Sequence, residues 1–208
     1  MVLLLLANAP GVLGQGSVIF HNRVTGAGGV VAPIYGPNPN CFYMRLSGNA
    51  TTNGGTIDYT GHPLLFGTTF SAQLLGGDPG NLLPLSTVQF RTTASFAGFI
   101  TPPAIGVFIA GRPGGTFTWF QVRAWDNGGN ILSTYADALA SGTRAVGQSD
   151  VFGPIELGTP PATPPNLVGL TSFNLTLAAG PCVPEPSVVV LGALAGVALL
   201  RRRKKVSP

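Results

Sequence analysis

Charged side chains are scarce in this sequence, and lysine is nearly absent. Asp, Glu, Lys and Arg make up 9% of the 208 residues, whereas about 25% is usual for a soluble protein. The first lysine is Lys204, which excludes a P-loop or Schiff-base lysine from the body. Five of the eleven cations stand at 201–205, leaving six cations against seven carboxylates elsewhere. We therefore expect no basic patch for nucleic acid.

Metal-binding and catalytic motifs are also missing. The sequence has no His-Glu-x-x-His, no Gly-x-Ser-x-Gly and no glycine-rich phosphate fingerprint before a helix. A zinc site needs three or four ligands, but His21, His62, Cys41 and Cys182 are scattered without paired spacing. We expect His21 to face solvent beside Arg23, and we expect neither a metal nor another cofactor.

Three carboxylates are the candidates for acid and base catalysis. A glycosidase needs two carboxylates at a defined separation, and Asp126, Asp150 and Glu156 could supply them. Turn formation and solvation explain them more simply, and the turn that begins at Asp126 lacks the spacing of a calcium loop. We predict that the protein is not an enzyme, with a secreted hydrolase as the least favoured alternative.

The two cysteines permit one disulfide in an oxidising compartment. Pairing of Cys41 with Cys182 would close a loop of about 140 residues and stabilise the fold by about 4 to 5 kcal/mol in the chain-entropy model. A free thiol or an intermolecular bridge at Cys182 is an equal alternative.

Alternating apolar and polar residues predict antiparallel strands. Residues 69–74, 88–91 and 172–177 alternate, and the last segment places Ser172 and Asn174 opposite Phe173. The strongest pattern is 116–125, which predicts a central strand covered on both faces. Its two faces are Phe120, Val122 and Ala124 on one side, and Trp119, Gln121, Arg123 and Trp125 on the other.

Turn residues and prolines separate these predicted strands. Residues 126–130 predict a turn, from which 131–135 would return as the partner strand. Residues 135–141 fit one or two helical turns, and 159–165 a stiff proline loop before the last strand. The pattern predicts one all-β body at 15–180, an antiparallel β-sandwich of immunoglobulin-like or jelly-roll-like type.

The first fourteen residues resemble the end of a secretory signal peptide. An apolar core at 3–6 precedes small residues, with signal-peptidase sites after Ala9 or Gly14, and we favour cleavage before Gln15. The usual basic start is missing, so we expect the true start upstream and 1–14 to be a signal-peptide remnant. A short hydrophobic strand at 3–6 is the alternative.

The C-terminal segment 181–208 has the order of a membrane-sorting tail. A proline-flanked motif, an uncharged apolar run at 188–200 and a cationic end follow one another. We predict a transmembrane helix at 188–200, although thirteen residues span only about 20 Å of a core about 30 Å thick. Cations stay on the cytoplasmic side, which places the body outside the cytoplasm. The motif is Val183, Pro184, Glu185, Pro186 and Ser187, and the cationic stop is Arg201, Arg202, Arg203, Lys204 and Lys205.

This tail resembles the PEP-CTERM sorting signal of Gram-negative bacteria that build exopolysaccharide matrices. The resemblance implies that an exosortase, a membrane-embedded cysteine protease or transpeptidase, processes the tail at the inner membrane and passes the protein towards the surface. The body resembles a group of uncharacterised exported PEP-CTERM β proteins. That second likeness rests on Gln15-Gly16, Asn22-Arg23-Val24, Ala72-Gln73-Leu74, the run from Gln121 to Asp126, and Leu170-Thr171-Ser172-Phe173.

Three functions therefore follow from the sequence. The leading one is a non-catalytic protein of the cell surface or the exopolysaccharide matrix. The alternative is an extracellular carbohydrate-binding module in which Trp119 and Trp125 stack on sugar rings. Exposure of these two rings distinguishes the two functions, because a stacking platform must face solvent. An enzyme would need carboxylates clustered in a cleft.

Overall fold

The computed structural model describes residues 14–49 and 55–177. The predicted signal-peptide remnant, the sorting motif at 183–187, the predicted transmembrane segment at 188–200 and the cationic stop at 201–205 all lie outside the described residues. Among the residues described, no helix has the length and apolarity needed to cross a membrane.

Strands dominate this part of the chain, and the protein is all-β as predicted. One α-helix and a single 3-10 turn at Ala94–Phe96 accompany them within the described ranges. The elements are β1 (Gln15–Val18), β2 (Arg23–Val24), β3 (Val30–Val31), β4 (Ile34–Tyr35), β5 (Phe70–Asp78), β6 (Asn81–Gln89), β7 (Val107–Pro113), β8 (Phe117–Asp126), α1 (Tyr135–Ser141), β9 (Val146–Gln148), β10 (Phe152–Glu156) and β11 (Phe173–Asn174).

The long strands form one five-stranded antiparallel sheet. Its order is β10-β8-β5-β6, and β9 also pairs with β8. The remaining strands are short and form three ladders: β1 with β7, β2 with β3, and a parallel pair of β4 with β11. The prediction of a central strand at 116–125 is confirmed by β8, which has partners along both edges.

One hydrophobic core joins the large sheet to the short ladders. Leu74 of β5 and Phe120 of β8 belong to the same buried cluster as Val18 of β1, Ile34 of β4 and Phe173 of β11. Full burial of such a side chain stabilises a fold by about 1.5 to 3 kcal/mol. Since the ladders have few backbone pairs of their own, this shared apolar contact attaches them to the sheet.

The turn at 126–130 forms, but the prediction that 131–135 returns as a partner strand is wrong. β5 already pairs with Ala124 on one edge of β8, and Gly147 of β9 pairs with it on the other. No edge of β8 is left, so the chain crosses its outer face instead. Ile131 is exposed, while the Leu132 carbonyl accepts a hydrogen bond of 3.2 Å from the Trp125 indole.

The short helix predicted at 135–141 is confirmed and is capped at both ends. The Thr134 hydroxyl accepts the Asp137 backbone N–H, and the Asp137 carboxylate accepts the Thr134 N–H in return. Gly142 ends the helix in the left-handed conformation at φ 65°. Helix α1 packs Ala138 and Tyr135 against Trp125, which covers part of the outer face of the sheet.

The segment 172–177 differs from its predicted half-buried pattern. Its strand is limited to Phe173–Asn174, and Ser172 and Asn174 are buried as deeply as Phe173. The Asn174 side chain accepts the Leu46 N–H at 2.7 Å and donates to the Met44 carbonyl at 2.8 Å. The segment is enclosed because the loop before Gly48 crosses its polar side.

Buried asparagines also organise other loops. The Asn22 amide donates to the carbonyls of Ala32 and Gly98, each at 2.9 Å, and its oxygen accepts the Ile100 N–H at 3.0 Å. Asn127 likewise bonds backbone groups of its own turn and the Ser71 hydroxyl. These side chains supply the partners that a regular strand would have provided.

Strand β6 forms the free edge of the large sheet and contains an irregularity. In the described structure it pairs only with β5. The register shifts because Leu74 pairs with Ser86 while Leu75 pairs with Pro84, which leaves Leu85 as the extra residue of a bulge. The Leu85 side chain packs against the core.

We predict that Asn22→Ala destabilises the fold by about 2 to 4 kcal/mol. The substitution removes hydrogen bonds from three backbone groups. The Gly98 carbonyl still accepts the Ile34 N–H, whereas a buried group that is not rebonded costs about 1 to 3 kcal/mol. Denaturant unfolding would measure the loss. The matched control is Asn40→Ala at an exposed position, for which we expect a change below about 0.5 kcal/mol. Equal stabilities for the two variants would contradict the role of Asn22.

Candidate functional site

The two tryptophans proposed to stack on sugars lie in different environments. Trp125 is fully buried, and its ring meets that of Tyr135 edge to face with centroids 6.2 Å apart. A ring with no exposed face cannot form a sugar platform, so the assignment of Trp125 to sugar stacking is wrong. Trp119 is half-buried and pairs in register with Gly77. Trp119 stays a candidate.

The carboxylates proposed for catalysis do not form a pair. Glu156 pairs with Phe117 at the start of β8, whereas Asp126 ends that strand nine residues later. At about 3.3 Å per residue the separation is about 30 Å. A glycosidase pair lies within about 5 to 9.5 Å, so these two residues cannot act on one glycosidic bond.

Asp150 is likewise separate and has its own partners. Its carboxylate accepts hydrogen bonds from Arg45 at 3.1 Å and from the Ser47 hydroxyl at 2.8 Å. The Asp126 carboxylate forms an ion pair with Arg144 at 3.1 Å and caps the N–H of Gly128. Both carboxylates hold loops in place.

The candidate metal ligands are not brought together in the described ranges, where no group of three or more His, Cys, Asp or Glu residues has metal-binding geometry. His62 is buried, with Nδ1 3.1 Å from the Gly36 carbonyl and its ring edge-on to Tyr59. Cys41 is disulfide-bonded. Cys182 lies outside the described residues, so its pairing with Cys41 stays a prediction.

A cluster of cations that spacing does not reveal lies around Phe96. The guanidinium carbons of Arg23 and Arg91 are each 4.9 Å from the Phe96 ring centroid, and Arg23 is also 5.4 Å from that of Phe99. Arg91 Nη2 lies 3.4 Å from Nε2 of His21. We call His21, Arg23 and Arg91 the basic cluster.

The basic cluster is not neutralised by the carboxylates of the described residues. The ion pairs found there join Arg45 to Asp150, Arg112 to Asp78 and Arg144 to Asp126; none of them includes Arg23 or Arg91. The two guanidiniums rest on aromatic rings, a contact worth about 0.5 to 1 kcal/mol at exposed sites. The positive charge therefore stays available to a ligand.

His21 is half-buried rather than facing solvent as predicted, and its environment disfavours protonation. Burial lowers the pKa of the imidazole from its usual 6.5, and the charges of Arg91 and Arg23 lower the pKa further. The neutral ring accepts a hydrogen bond from Arg91. A bound anion would offset the two positive charges and raise the pKa of His21 again.

Three neighbouring surface cavities extend from His21 across the edge of the fold. The first, about 300 Å³, is lined by His21, Ile105 and Pro102 to Pro103. The same two prolines line the second, of about 320 Å³, together with Val88 and Gln89. Val88 and Gln89 also line the third, of about 430 Å³. We call this series of cavities the groove.

We predict that protonation of His21 destabilises the folded protein. The pKa of His21 is lower in the folded chain than its ordinary value of 6.5, so the unfolded chain binds more protons between these two values. The stability contributed by the neutral ring is complete above pH 6.5 and is lost as pH falls through the folded-state pKa. Melting temperatures from pH 7.5 to 5 should fall more steeply for the wild type than for His21→Gln. If melting temperature depended on pH in the same way for both proteins, protonation of His21 would not be linked to folding.

Comparison with known proteins gives no match. No family model fits this chain, and no curated protein or solved structure is significantly similar to it.

Proposed function

We propose that this chain is an exported, non-catalytic protein of the cell surface or the exopolysaccharide matrix, carrying a PEP-CTERM tail. The observation that carries the proposal is the order of that tail, in which Pro184-Glu185-Pro186, an uncharged run and five cations follow one another. The body is held outside the inner membrane while an exosortase acts on the motif. Signal peptidase removes the N-terminal segment.

We infer further that the body at 15–180 is a β-sandwich of immunoglobulin-like or jelly-roll-like type. The large sheet supports this inference, because one of its faces shares a core with the short ladders opposite. The low charge content of the chain and the disulfide at Cys41 fit a protein that works outside the cytoplasm.

Carbohydrate binding is the second candidate function. The observation that favours it is the position of Trp119, half-buried on the outer face of the sheet beside Gly77. A partly exposed indole on the outer face of a sheet can stack on the apolar face of a sugar. A protein that interacts with a polysaccharide matrix would combine both functions.

We predict that replacing Pro184-Glu185-Pro186 by three alanines abolishes processing without preventing membrane insertion. The change keeps the apolar run and the cationic stop, but removes the one carboxylate of the tail and its extended proline flanks. In an exosortase-containing host, mass spectrometry should find the full-length C-terminus in the inner membrane. Pro181→Ala, outside the motif, is the matched control and should be processed normally. The same mature C-terminus in all three proteins would refute the proposal.

We predict that the five cations at 201–205 fix the orientation of the tail. Each central charge costs about 2.5 to 3.5 kcal/mol to insert on the translocon scale. Replacing all five by glutamine should release the protein into the medium or mix its topology, as measured by protease protection of the body. Changing the three arginines to lysine keeps the charge and should preserve orientation. Retention of wild-type topology without charge would show that the cations are not a stop signal.

A further inference from the structure

We propose that the body binds an acidic polysaccharide along the groove, with a sugar carboxylate held by the basic cluster of His21, Arg23 and Arg91. The inference deepens the surface-or-matrix function proposed above by naming its ligand class. It concerns the body alone and does not depend on processing of the tail.

The basic cluster has the chemistry of a carboxylate site. Arg91 uses Nε on the Ile100 carbonyl and one terminal nitrogen on His21, which fixes its plane. The Phe96 ring lies 4.9 Å from both guanidinium carbons and restricts them without using their N–H groups. Planar guanidiniums bind carboxylates through paired, charge-assisted hydrogen bonds. Since the described carboxylates form no ion pair with Arg23 or Arg91, an external anion can bind there.

The groove has the continuity of a polymer site. Its three cavities have volumes of about 300, 320 and 430 Å³, and consecutive cavities share lining residues. Each is at the lower end of the size of a small-ligand pocket. A single small anion would need only the cavity beside His21. A series of similar cavities that share walls instead fits a ligand built from repeated units.

The walls of the groove suit sugar rings. Near His21 they include the apolar residues Ile105, Pro102 and Pro103, against which the C–H face of a sugar can pack. The far end is polar, and there the Gln89 amide donates to Asn130 at 2.7 Å. Amides held in this way offer donors and acceptors to hydroxyl groups with little loss of entropy.

The charge beside the groove favours an acidic polymer, because Arg91 contacts His21 at the wall of the first cavity. The described residues that line its three cavities include no Asp or Glu, so a polyanion meets no like charge there. A neutral glucan would leave the cluster of cations unpaired. Nucleic acid is disfavoured because the six arginines outside the tail are balanced by six carboxylates.

The test measures binding of an oligogalacturonate to the full-length protein in detergent by isothermal titration calorimetry. The neutral probe is the same oligosaccharide with its carboxylates reduced to alcohols. We expect binding of the acidic probe that weakens with added salt, and at least tenfold weaker binding of the neutral probe. Each charge-assisted hydrogen bond lost should lower affinity about tenfold or more.

Matched variants test whether the oligosaccharide binds at the basic cluster and the groove. The double substitution Arg23→Gln with Arg91→Gln should weaken binding at least tenfold, whereas Arg45→Gln with Arg112→Gln removes the same charge elsewhere and should leave affinity unchanged. Ile105→Glu adds a carboxylate to the groove at an exposed side chain and should weaken binding. Leu83→Glu, at an exposed position outside the groove, should not. Circular dichroism and melting temperature establish that each variant is folded.

Several outcomes would overturn the proposal. Equal binding of both probes would make the ligand a neutral sugar, and loss of binding in Trp119→Ala alone would move the site to the outer face of the sheet. If the two double arginine variants weakened binding equally, the interaction would depend only on net charge. If neither probe bound, the groove would not be a polysaccharide site. None of these results alters the C-terminus found by mass spectrometry, so the sorting function is judged separately.

Discussion

The backbone N–H and C=O groups of the loops need hydrogen-bond partners, and the rest of this structure depends on that constraint. Within residues 14–49 and 55–177, four strands are only two residues long, so ladder bonding leaves many buried N–H and C=O groups unpaired. Asn22 and Asn174 meet this need from inside the core, with three and two hydrogen bonds to backbone groups. An unpaired buried group costs about 1 to 3 kcal/mol. A fold with so few long strands is therefore stable only because buried polar side chains bond these backbone groups.

Alternation in the sequence predicted the parts of the fold that are governed by local burial. It placed β5 and β8 correctly because their inner faces pack on the core and their outer faces are partly polar. It failed at 131–135, where the outcome depends on whether β8 has a free edge, and at Asn174, where it depends on a loop that arrives from residue 44 onward. Both outcomes depend on tertiary structure, which the residue pattern within a segment does not predict.

The candidate site was mostly hidden from sequence reasoning for the same reason. The alternation of residues along β8 places Trp125 and Trp119 on the outer face of the sheet. Helix α1 covers that face near Trp125 and leaves the Trp119 side chain partly exposed. The basic cluster joins His21 and Arg23 to Arg91 and Phe96, some seventy residues away. One signal was present in the sequence, because six arginines precede the tail in a chain with few charges. Each of them could be expected to pair with one of the few carboxylates. Only the fold shows which of them do.

The irregular edge of the large sheet has a consequence for behaviour at high local concentration. A free strand edge is a template on which another chain can add a strand, and proteins limit this with prolines and bulges. Strand β6 has both, since Pro84 removes an N–H donor and the bulge at Leu85 interrupts the spacing of the remaining donors and acceptors. Copies crowded together are therefore hindered from pairing with one another along this edge.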